Sequence, residues 1–265
     1  MKLDKWDKLL EKYKSQIDTS ILAENDVKIV FEKLKEKIIE ELQKPTHIAV
    51  LGKCGVGKTS TINALFGTDW KISHTAAATK DEQVYIYSGE RGKLKISDLP
   101  GFGEDIDTED YYRNIYKRVI SECDVALLLL KADTRDMAEV QRFLRDVVGS
   151  TLNNLSKRIV IGINQIDVVQ PGHWLDEPNI PSLEQEKSIE KIKKERIKSI
   201  SKVCSIKSSQ VIIYSATKRY RLVQLFEAMV SCTSGQAWVL DSKKKIANYL
   251  ELVNPKYLPK PPEKI

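Results

Sequence analysis

The sequence has 265 residues, 42% of them hydrophobic and 30% charged, which is the composition of an ordinary globular protein with a full core. Its 43 basic and 37 acidic residues leave a net charge of +6, too small for a strong nucleic-acid signal. Because its four cysteines form no C-x-x-C pair and no apolar run reaches about 18 residues, neither a disulfide framework nor a transmembrane segment is expected, and the expected location is cytoplasmic.

The first part of the chain, residues 1–44, predicts an N-terminal helical extension. It contains no Gly or Pro, and apolar residues recur at helical spacing around Leu9 and again around Leu34. We expect two helices that pack one face on the following domain, and Pro45 ends the second of them. The predicted domains are this extension at 1–45, a nucleotide-binding domain at 46–232, and a C-terminal helix with a Pro-rich tail at 233–265.

From residue 46 onward, short apolar runs rich in β-formers alternate with helical segments. This alternation predicts an α/β fold with a doubly wound, mostly parallel six-stranded sheet. The pair of runs within 84–97 predicts a hairpin that supplies the antiparallel edge, and residues 183–203 predict an amphipathic surface helix. The six predicted strands are 47–51, 84–87, 94–97, 125–130, 159–163 and 211–214.

The loop after the first predicted strand carries the most informative motif. Within residues 52–60, Gly52–Thr59 match the phosphate-binding pattern G-x-x-x-x-G-K-[ST], between a strand and a helix that aim free N–H groups at an anion. Lys58 would reach the β- and γ-phosphates, and the Thr59 hydroxyl would ligate Mg²⁺. Cys54 is either a small residue tolerated in a tight loop or a thiol made reactive by the helix N-terminus. The predicted nucleotide contacts here are Gly52, Lys53, Cys54, Gly55, Val56, Gly57, Lys58, Thr59 and Ser60.

A second motif follows the predicted strand at 94–97. Asp98 ends that strand, where its carboxylate can hold a water on Mg²⁺, and Gly101 can offer a backbone N–H to a γ-phosphate. The alternative is an ordinary strand-ending Asp and turn, because the D-x-x-G pattern is only moderately specific by itself.

Two further stretches, each at a predicted strand end, favour guanine as the base. In Asn164-x-x-Asp167 the Asp167 carboxylate can accept from both N1–H and the 2-amino group, which adenine does not present together. Asn164 would tie this loop to the phosphate loop. Farther on, a backbone N–H after Ser215, in the pair Ser215–Ala216, would meet the guanine oxygen. The strand-end positions agree with the rule that open α/β sheets bind ligands beyond the carboxyl ends of their strands.

Together these stretches resemble the G1, G3, G4 and G5 motifs of the translation-factor-related (TRAFAC) class of P-loop GTPases. Residues 57–67 and 98–103 are most similar to Era-like bacterial GTPases and also resemble immunity-related and dynamin-like GTPases. The resemblance implies a G domain with a small helical appendage and hydrolysis of GTP to GDP with Mg²⁺. It also implies a switch-I threonine as second metal ligand. Thr75 and Thr79 are both available, and Thr79 is preferred because it lies just before the run leading into the next strand.

The chain departs from the pattern of this class at two positions. Gln165 stands where a Lys usually covers the base, so we expect guanine specificity to be retained and affinity to be weakened. Phe102 follows Gly101, where many small GTPases place a water-orienting Gln, and no Arg lies between residues 68 and 83. We therefore expect slow turnover unless an activating protein, or a second copy in a homodimer through the nucleotide face, supplies a catalytic group.

The expected function is a GTPase that acts as a nucleotide-dependent switch, with Lys58, Thr79 and Gly101 as catalytic contacts and Thr59, Thr79 and Asp98 at the metal. The alternative is a GTP-gated interaction module in which hydrolysis is incidental and partners bind through the switches, the acidic segment 104–110 or the helical appendage. An ATP-using kinase or ATPase is the weaker rival, because the Asn164-x-x-Asp167 pattern argues against it.

Overall fold

The structure, a computed structural model, describes residues 45–66, 71–75, 82–89, 92–102, 109–148 and 155–232. The chain divides into two units, Met1–Lys44 and Pro45–Ile265, and everything described belongs to the second. The predicted N-terminal helices and C-terminal tail lie outside the described residues, so the domain boundaries stay predictions. In the part of the chain that is described, no helix combines the length and apolarity needed to cross a membrane.

Strands and helices alternate along the chain, as the apolar runs predict. The strands and helices in chain order are β1 Thr46–Gly52, α1 Lys58–Phe66, β2 Lys71–Thr75, β3 Gln83–Gly89, β4 Gly92–Asp98, α2 Glu109–Glu122, β5 Val125–Lys131, α3 Met137–Val148, α4 Leu155–Arg158, β6 Ile159–Asn164, β7 Trp174–Leu175, β8 Ile180–Pro181, α5 Leu183–Ile200, β9 Val211–Ile213 and α6 Leu222–Cys232. Short 3₁₀ helices occur at Ile166–Val168 and Ser208–Gln210.

The main sheet has seven strands in the order β2-β3-β4-β1-β5-β6-β9. Five of these strands, β4, β1, β5, β6 and β9, run parallel to one another. Strand β3 runs antiparallel to both β4 and β2. The predicted α/β architecture, all six predicted strands and the hairpin are therefore confirmed. The seventh strand, β2, was not predicted, because Lys71, Ser73 and His74 interrupt any apolar run in this short segment.

Two hydrophobic layers lie on opposite faces of the sheet, and β5 contributes to both. Ala126, Leu128 and Leu130 face the layer covered by α2, α3 and α5. Val125, Leu127 and Leu129 face the layer covered by α1 and α6. Since successive residues of a strand point to opposite faces, a strand covered by helices on both sides is apolar at every position.

The amphipathic helix α5 packs one side against the first of these layers. Ser182 caps its N-terminus, and the Ser182 hydroxyl accepts from the Gln185 N–H at 3.3 Å. Ile189 and Ile200 are buried in the layer. The remaining members of the predicted apolar stripe, Ile192, Ile197 and Val203, pack partly buried against it, which confirms the predicted helix.

Strand β6 contains Gly162 at a position where no larger residue fits without a shift. A Cβ atom there would lie 2.8 Å from Leu129 Cδ2 and 2.9 Å from Tyr214 Cε1. The fully buried Tyr214 follows β9 and joins it to α1, because its hydroxyl hydrogen-bonds to Thr61 Oγ1 at 2.7 Å. This contact fixes the end of β9 beside the helix that follows the phosphate loop.

Candidate nucleotide-binding site

The predicted site residues lie at the carboxyl ends of parallel strands. The phosphate loop follows β1, Asp98 is the last residue of β4, and Asn164 is the last residue of β6. Ser215 and Ala216 come directly after β9 and Tyr214. Since β4, β1, β5, β6 and β9 are neighbours in that order, all these loops open at one edge of the sheet.

The phosphate loop makes a tight turn that depends on glycine. Gly57 has φ +90°, and a Cβ atom there would lie 2.5 Å from Asn164 Nδ2. Lys58 folds back over the loop, where its Nζ donates to Gly52 O at 3.1 Å and to Lys53 O at 3.4 Å. The loop therefore places an ammonium group where phosphate oxygens would lie. Of its remaining members, Val56 is buried, whereas Cys54, Gly55, Thr59 and Ser60 are exposed.

Lys53, the second residue of the phosphate loop, forms an ion pair with Glu139 in the first turn of α3. Both side chains are partly exposed. The pair links the phosphate loop to α3 and directs the Lys53 ammonium toward a carboxylate of the protein.

Asp98 is the candidate metal anchor. Its Oδ1 atom is buried and has no hydrogen-bond partner in the described part of the chain. Burial raises the pKa of this carboxyl, and the nearby Lys58 ammonium acts in the opposite direction. A buried, unpartnered carboxylate oxygen beside the phosphate loop fits Mg²⁺, which prefers oxygen ligands and keeps several waters. Among the described residues, no three His, Cys, Asp or Glu side chains cluster to hold a metal alone.

Asn164 joins three loops of the site. The side chain is 2% exposed. Its Nδ2 donates to Val56 O in the phosphate loop at 3.0 Å, and its Oδ1 accepts from the Ala216 N–H at 3.0 Å. The predicted tie between the base loop and the phosphate loop is thus present, and the same carboxamide also holds the loop after β9.

Gln165 makes a second link between the base loop and the phosphate loop. Its Nε2 donates to Gly55 O at 2.9 Å. The residue has φ +62°, in the left-handed region that non-glycine residues seldom adopt. The side chain therefore contacts the phosphate loop, but through a neutral amide.

Asp167 lies in the 3₁₀ helix that follows Gln165. Its carboxylate is half-buried, and within the described residues it has no hydrogen bond or ion pair, so both oxygens can receive donors from a ligand. The backbone is held from behind by the fully buried Gln185, whose Nε2 donates to Asp167 O and Val169 O, each at 3.0 Å. Gln185 was not predicted from the sequence. The one feature that could have pointed to it is a polar residue close to the apolar stripe of α5.

The loop after β9 is tightly held. Ser215 is fully buried, and its hydroxyl accepts from the Lys218 N–H at 3.0 Å. Ser215 and Tyr220 exchange backbone hydrogen bonds of 3.2 and 3.0 Å. Trp174 packs edge-on against Tyr220, and its Nε1 donates to Asn179 Oδ1 at 2.9 Å. Trp174 therefore fastens the β7–β8 hairpin beside this loop.

The switch residues are less completely described. Thr79 and the acidic residues 104–108 lie outside the described residues, and of Thr75 only the backbone register is given, opposite Val84 in the β2–β3 ladder.

Gly101 is buried. Phe102 is 5% exposed and its ring stacks on Phe143 of α3 with centroids 4.2 Å apart. The Phe102 side chain thus belongs to the hydrophobic layer.

Comparison with known proteins agrees with these motifs. Residues 47–165 match the family model of the 50S ribosome-binding GTPases. The uncharacterized protein YfjP of Escherichia coli K12 is 29% identical over 212 residues, 77% of this chain and 69% of YfjP. GTPase Der of Wolinella succinogenes is 27% identical over 161 residues, 58% of this chain and 32% of Der, so the chain matches about a third of Der.

Solved structures support the fold. Toc33 from Arabidopsis thaliana, in complex with GDP and Mg²⁺, superposes with a TM-score of 0.56 at 16% identity and covers 78% of this chain and 93% of Toc33. A dimerization-deficient mutant of Toc33 superposes with a TM-score of 0.51, also at 16% identity, over 78% of this chain and 89% of that chain.

Proposed function

We propose that this chain, which belongs to the translation-factor-related class of P-loop GTPases, binds GTP with Mg²⁺ and hydrolyses it slowly to GDP and phosphate as a nucleotide-dependent switch. The observation that carries the proposal is the Asn164 carboxamide, which bonds to Val56 O and to the Ala216 N–H. One buried side chain thereby brings the phosphate loop, the base loop and the loop after β9 to a common point, where a nucleotide would contact all three.

In this proposal Asp167 selects guanine. Its unpaired carboxylate accepts from the N1–H and 2-amino groups of the base, while Gln185 keeps the backbone beneath it in place. Paired donors of this kind are absent from adenine, so the wrong base would leave the carboxylate without partners.

The phosphates and the metal occupy the other half of the proposed site. Lys58 contacts the β- and γ-phosphates, Gly101 offers its N–H to the γ-phosphate, and Thr59 and Asp98 hold Mg²⁺ directly or through water. When bound there, Mg²⁺ would supply positive charge against the negative charge that develops on the phosphates. For the second threonine we propose Thr79, because Thr75 is committed to β2, two strands and therefore about 10 Å from β4.

Slow turnover follows from the groups that the domain lacks. The Phe102 ring stacks on Phe143 and cannot orient water, and no Arg lies between residues 68 and 83. Lys53 is engaged by Glu139. We therefore propose that an activating protein or a second copy completes the site, and the existence of a Toc33 mutant described as dimerization-deficient favours the second copy. All four cysteines are free thiols, which suits the proposed cytoplasmic location.

The proposed function is tested by a substitution that should change the preferred base from guanine to xanthine. The Asp167→Asn variant replaces an acceptor by a donor, so it should weaken GTP by about 1.5–3 kcal/mol for each lost hydrogen bond and favour xanthosine triphosphate. Affinities for both nucleotides are measured by calorimetry. Lys58→Ala serves as the control, because it should weaken both nucleotides alike and abolish hydrolysis. If Asp167→Asn binds GTP as the parent does, Asp167 does not select the base.

A second candidate function, the GTP-gated interaction module, is favoured by exposed apolar residues next to the base loop. Val168 is 60% exposed and Leu183 is 79% exposed. They lie on the two segments that Gln185 joins, and Ile180 of β8 is also exposed. Solvent-exposed apolar residues grouped at the rim of a site suit a protein contact. A partner captured by GTP-loaded but not by GDP-loaded protein, with hydrolysis negligible under all conditions, would favour this function.

A further inference from the structure

A chain of buried hydrogen bonds leads from the end of β9 to the phosphate loop and takes no part in the function proposed above. Tyr214 and Thr61 are both fully buried, and their hydroxyl oxygens lie 2.7 Å apart. Thr61 Oγ1 also donates to Gly57 O at 2.8 Å. Since the one hydroxyl proton of Thr61 is used there, Tyr214 must be the donor to Thr61. Burial raises the pKa of Tyr214, so its hydroxyl keeps the proton that it donates.

Gly57 O accepts a second hydrogen bond that the helix itself does not need. The Thr61 N–H already donates to this oxygen at 2.9 Å, as expected for the first turn of α1. A Thr hydroxyl that bonds to the carbonyl four residues earlier slightly destabilises a helix. Helix stability therefore does not account for the second donor, and its effect on the phosphate loop indicates its role.

The second donor bears on the direction of a backbone N–H group. Gly57 O and the Lys58 N–H belong to one trans peptide, which is planar, so the two groups point in opposite directions. Gly57 has φ +90° and no side chain to restrict the neighbouring peptide planes. Holding Gly57 O against α1 therefore keeps the Lys58 N–H directed out of the helix N-terminus, toward the proposed phosphates.

The two preceding carbonyls of the phosphate loop are also held by side chains. Val56 O accepts from Asn164 Nδ2 at 3.0 Å, and Gly55 O accepts from Gln165 Nε2 at 2.9 Å. Both donors come from the base loop, whereas Gly57 O is held from the side of β9. Successive N–H groups that point the same way form an anion-binding concavity. The third carbonyl therefore completes a run of three peptides whose orientation is fixed by groups outside the loop.

We propose that the Thr61–Tyr214 hydroxyl pair is a positioning device for the phosphates, which holds the Gly57–Lys58 peptide with its N–H directed at the β-phosphate. This inference rests on the proposed function. Backbone N–H groups of such a loop surround the phosphates beyond the first, whereas Asp167 reads the base. The pair therefore strengthens binding of GDP relative to GMP, which lacks the β-phosphate, and leaves the choice of base to Asp167.

The test compares the affinities of GDP and GMP, each measured by displacement of a fluorescent GDP. Thr61→Val keeps the shape of the side chain but removes the hydroxyl between Tyr214 and Gly57. It should lower the GDP-to-GMP affinity ratio about fivefold, as for the loss of one neutral hydrogen bond. Tyr214→Phe leaves Thr61 bonded to Gly57 O but without its own donor, so this ratio should fall only about twofold.

The double variant separates a positioning role from a purely structural one. Thr61→Val alone leaves the Tyr214 hydroxyl buried without a partner, which lowers the free energy of unfolding. Combining it with Tyr214→Phe replaces both hydroxyls by apolar groups, so stability in urea should largely recover. Gly57 O still lacks its second donor, and the affinity ratio should therefore stay low. A ratio that recovers together with stability, or one that is unmoved in every variant, would overturn the inference.

The matched control is Ser231→Ala on α6. Ser231 Oγ donates to Glu227 O, also four residues earlier, at 2.8 Å, in a helix that does not follow the phosphate loop. Its removal should leave the affinity ratio as in the parent. A parent that binds GDP and GMP, with a ratio unmoved by Thr61→Val, leaves the proposed function intact and overturns only the inference. A parent that binds neither nucleotide overturns both.

Discussion

At the scale of single residues, His47 illustrates how burial sets the chemistry of a side chain. The residue lies in β1 with 6% of its surface exposed, and its ring is held by Ser97. Burial, aided by the positive charge of Lys95, lowers the pKa of His47 from 6.5 to about 4. The imidazole is therefore neutral in the folded chain at neutral pH, although the nearby Glu82 carboxylate acts on its pKa in the opposite direction.

This pKa predicts how stability depends on pH. The unfolded chain takes up the His47 proton below about pH 6.5 and the folded chain only near pH 4. The buried, neutral His47 therefore makes its full contribution to the free energy of unfolding above pH 6.5, and this contribution is lost as pH falls toward 4. The loss approaches ~3 kcal/mol at about 1.4 kcal/mol per pKa unit. His47→Gln, which retains an N–H donor, should show a shallower fall in unfolding free energy between pH 6.5 and 4 by urea titration. Replacing the exposed His173 by Gln is the control, and equal slopes for His47→Gln and parent would contradict the prediction.

At the scale of elements, the base loop and the phosphate loop are joined by two successive side-chain amides. Asn164 donates to Val56 O, and Gln165 donates to Gly55 O. Adjacent residues of one loop therefore hold adjacent carbonyls of the other. The second contact is made by a neutral amide. This gives a physical reason for the prediction from the sequence that nucleotide affinity is weakened while the specificity for guanine is retained.

Restoring a positive charge at this contact should slow nucleotide release. A charged donor contributes about 1.5–3 kcal/mol against about 1 kcal/mol for a neutral amide. Gln165→Lys should therefore slow GDP dissociation about tenfold without changing the preference for guanine. Gln165→Met, similar in length but without a donor, should accelerate dissociation. Stopped-flow displacement of a fluorescent GDP measures both rates. If all three proteins release GDP at one rate, the contact with Gly55 plays no part in nucleotide retention.

Elements and candidate site differ in how far the sequence predicts them. The apolar run of β5 indicates a strand covered on both faces, and the motif loops fall at strand ends as expected. Strand β2 was missed because an edge strand needs no apolar run once β3 supplies its hydrogen bonds. Gln185 was missed for a different reason. It acts through hydrogen bonds to the backbone of Asp167 and Val169, which only the folded chain brings close to it.

At the scale of the whole molecule, the meeting of the motif loops follows from the parallel arrangement of the central strands. Parallel strands joined by helices stack side by side with their carboxyl ends together, so motifs separated by more than 160 residues, from Gly52 to Ser215, meet at one edge. The sequence could not predict which catalytic group completes the site, because that group is not among the motif residues.

Turnover should therefore depend on protein concentration. An arginine supplied by a partner contributes about 10³–10⁵ in rate in related chemistry, and the isolated domain lacks both an orienting residue at Phe102 and a switch-I Arg. We expect basal turnover below about one per minute, on the order of the slow intrinsic rates of GTPases without such a group. Turnover per mole of protein should rise as the protein concentration is raised a hundredfold. Over the same range, the molecular mass should increase when a GTP analogue is bound but not when GDP is bound. Fast hydrolysis by a strict monomer would disprove this expectation.

The contacts that Asn164 makes with the phosphate loop and with the loop after β9 also determine whether the entropic cost of ordering these loops arises during folding or during nucleotide binding. Its hydrogen bonds to Val56 and Ala216 are made within the protein and do not require a nucleotide. The loops at the guanine end of the site are therefore assembled when the chain folds. An incoming base meets a preorganised surface and loses its own freedom without having to order the loops as well. Association at this end should thus resemble the docking of two rigid bodies, and the free energy of folding already includes the cost of arranging the loops.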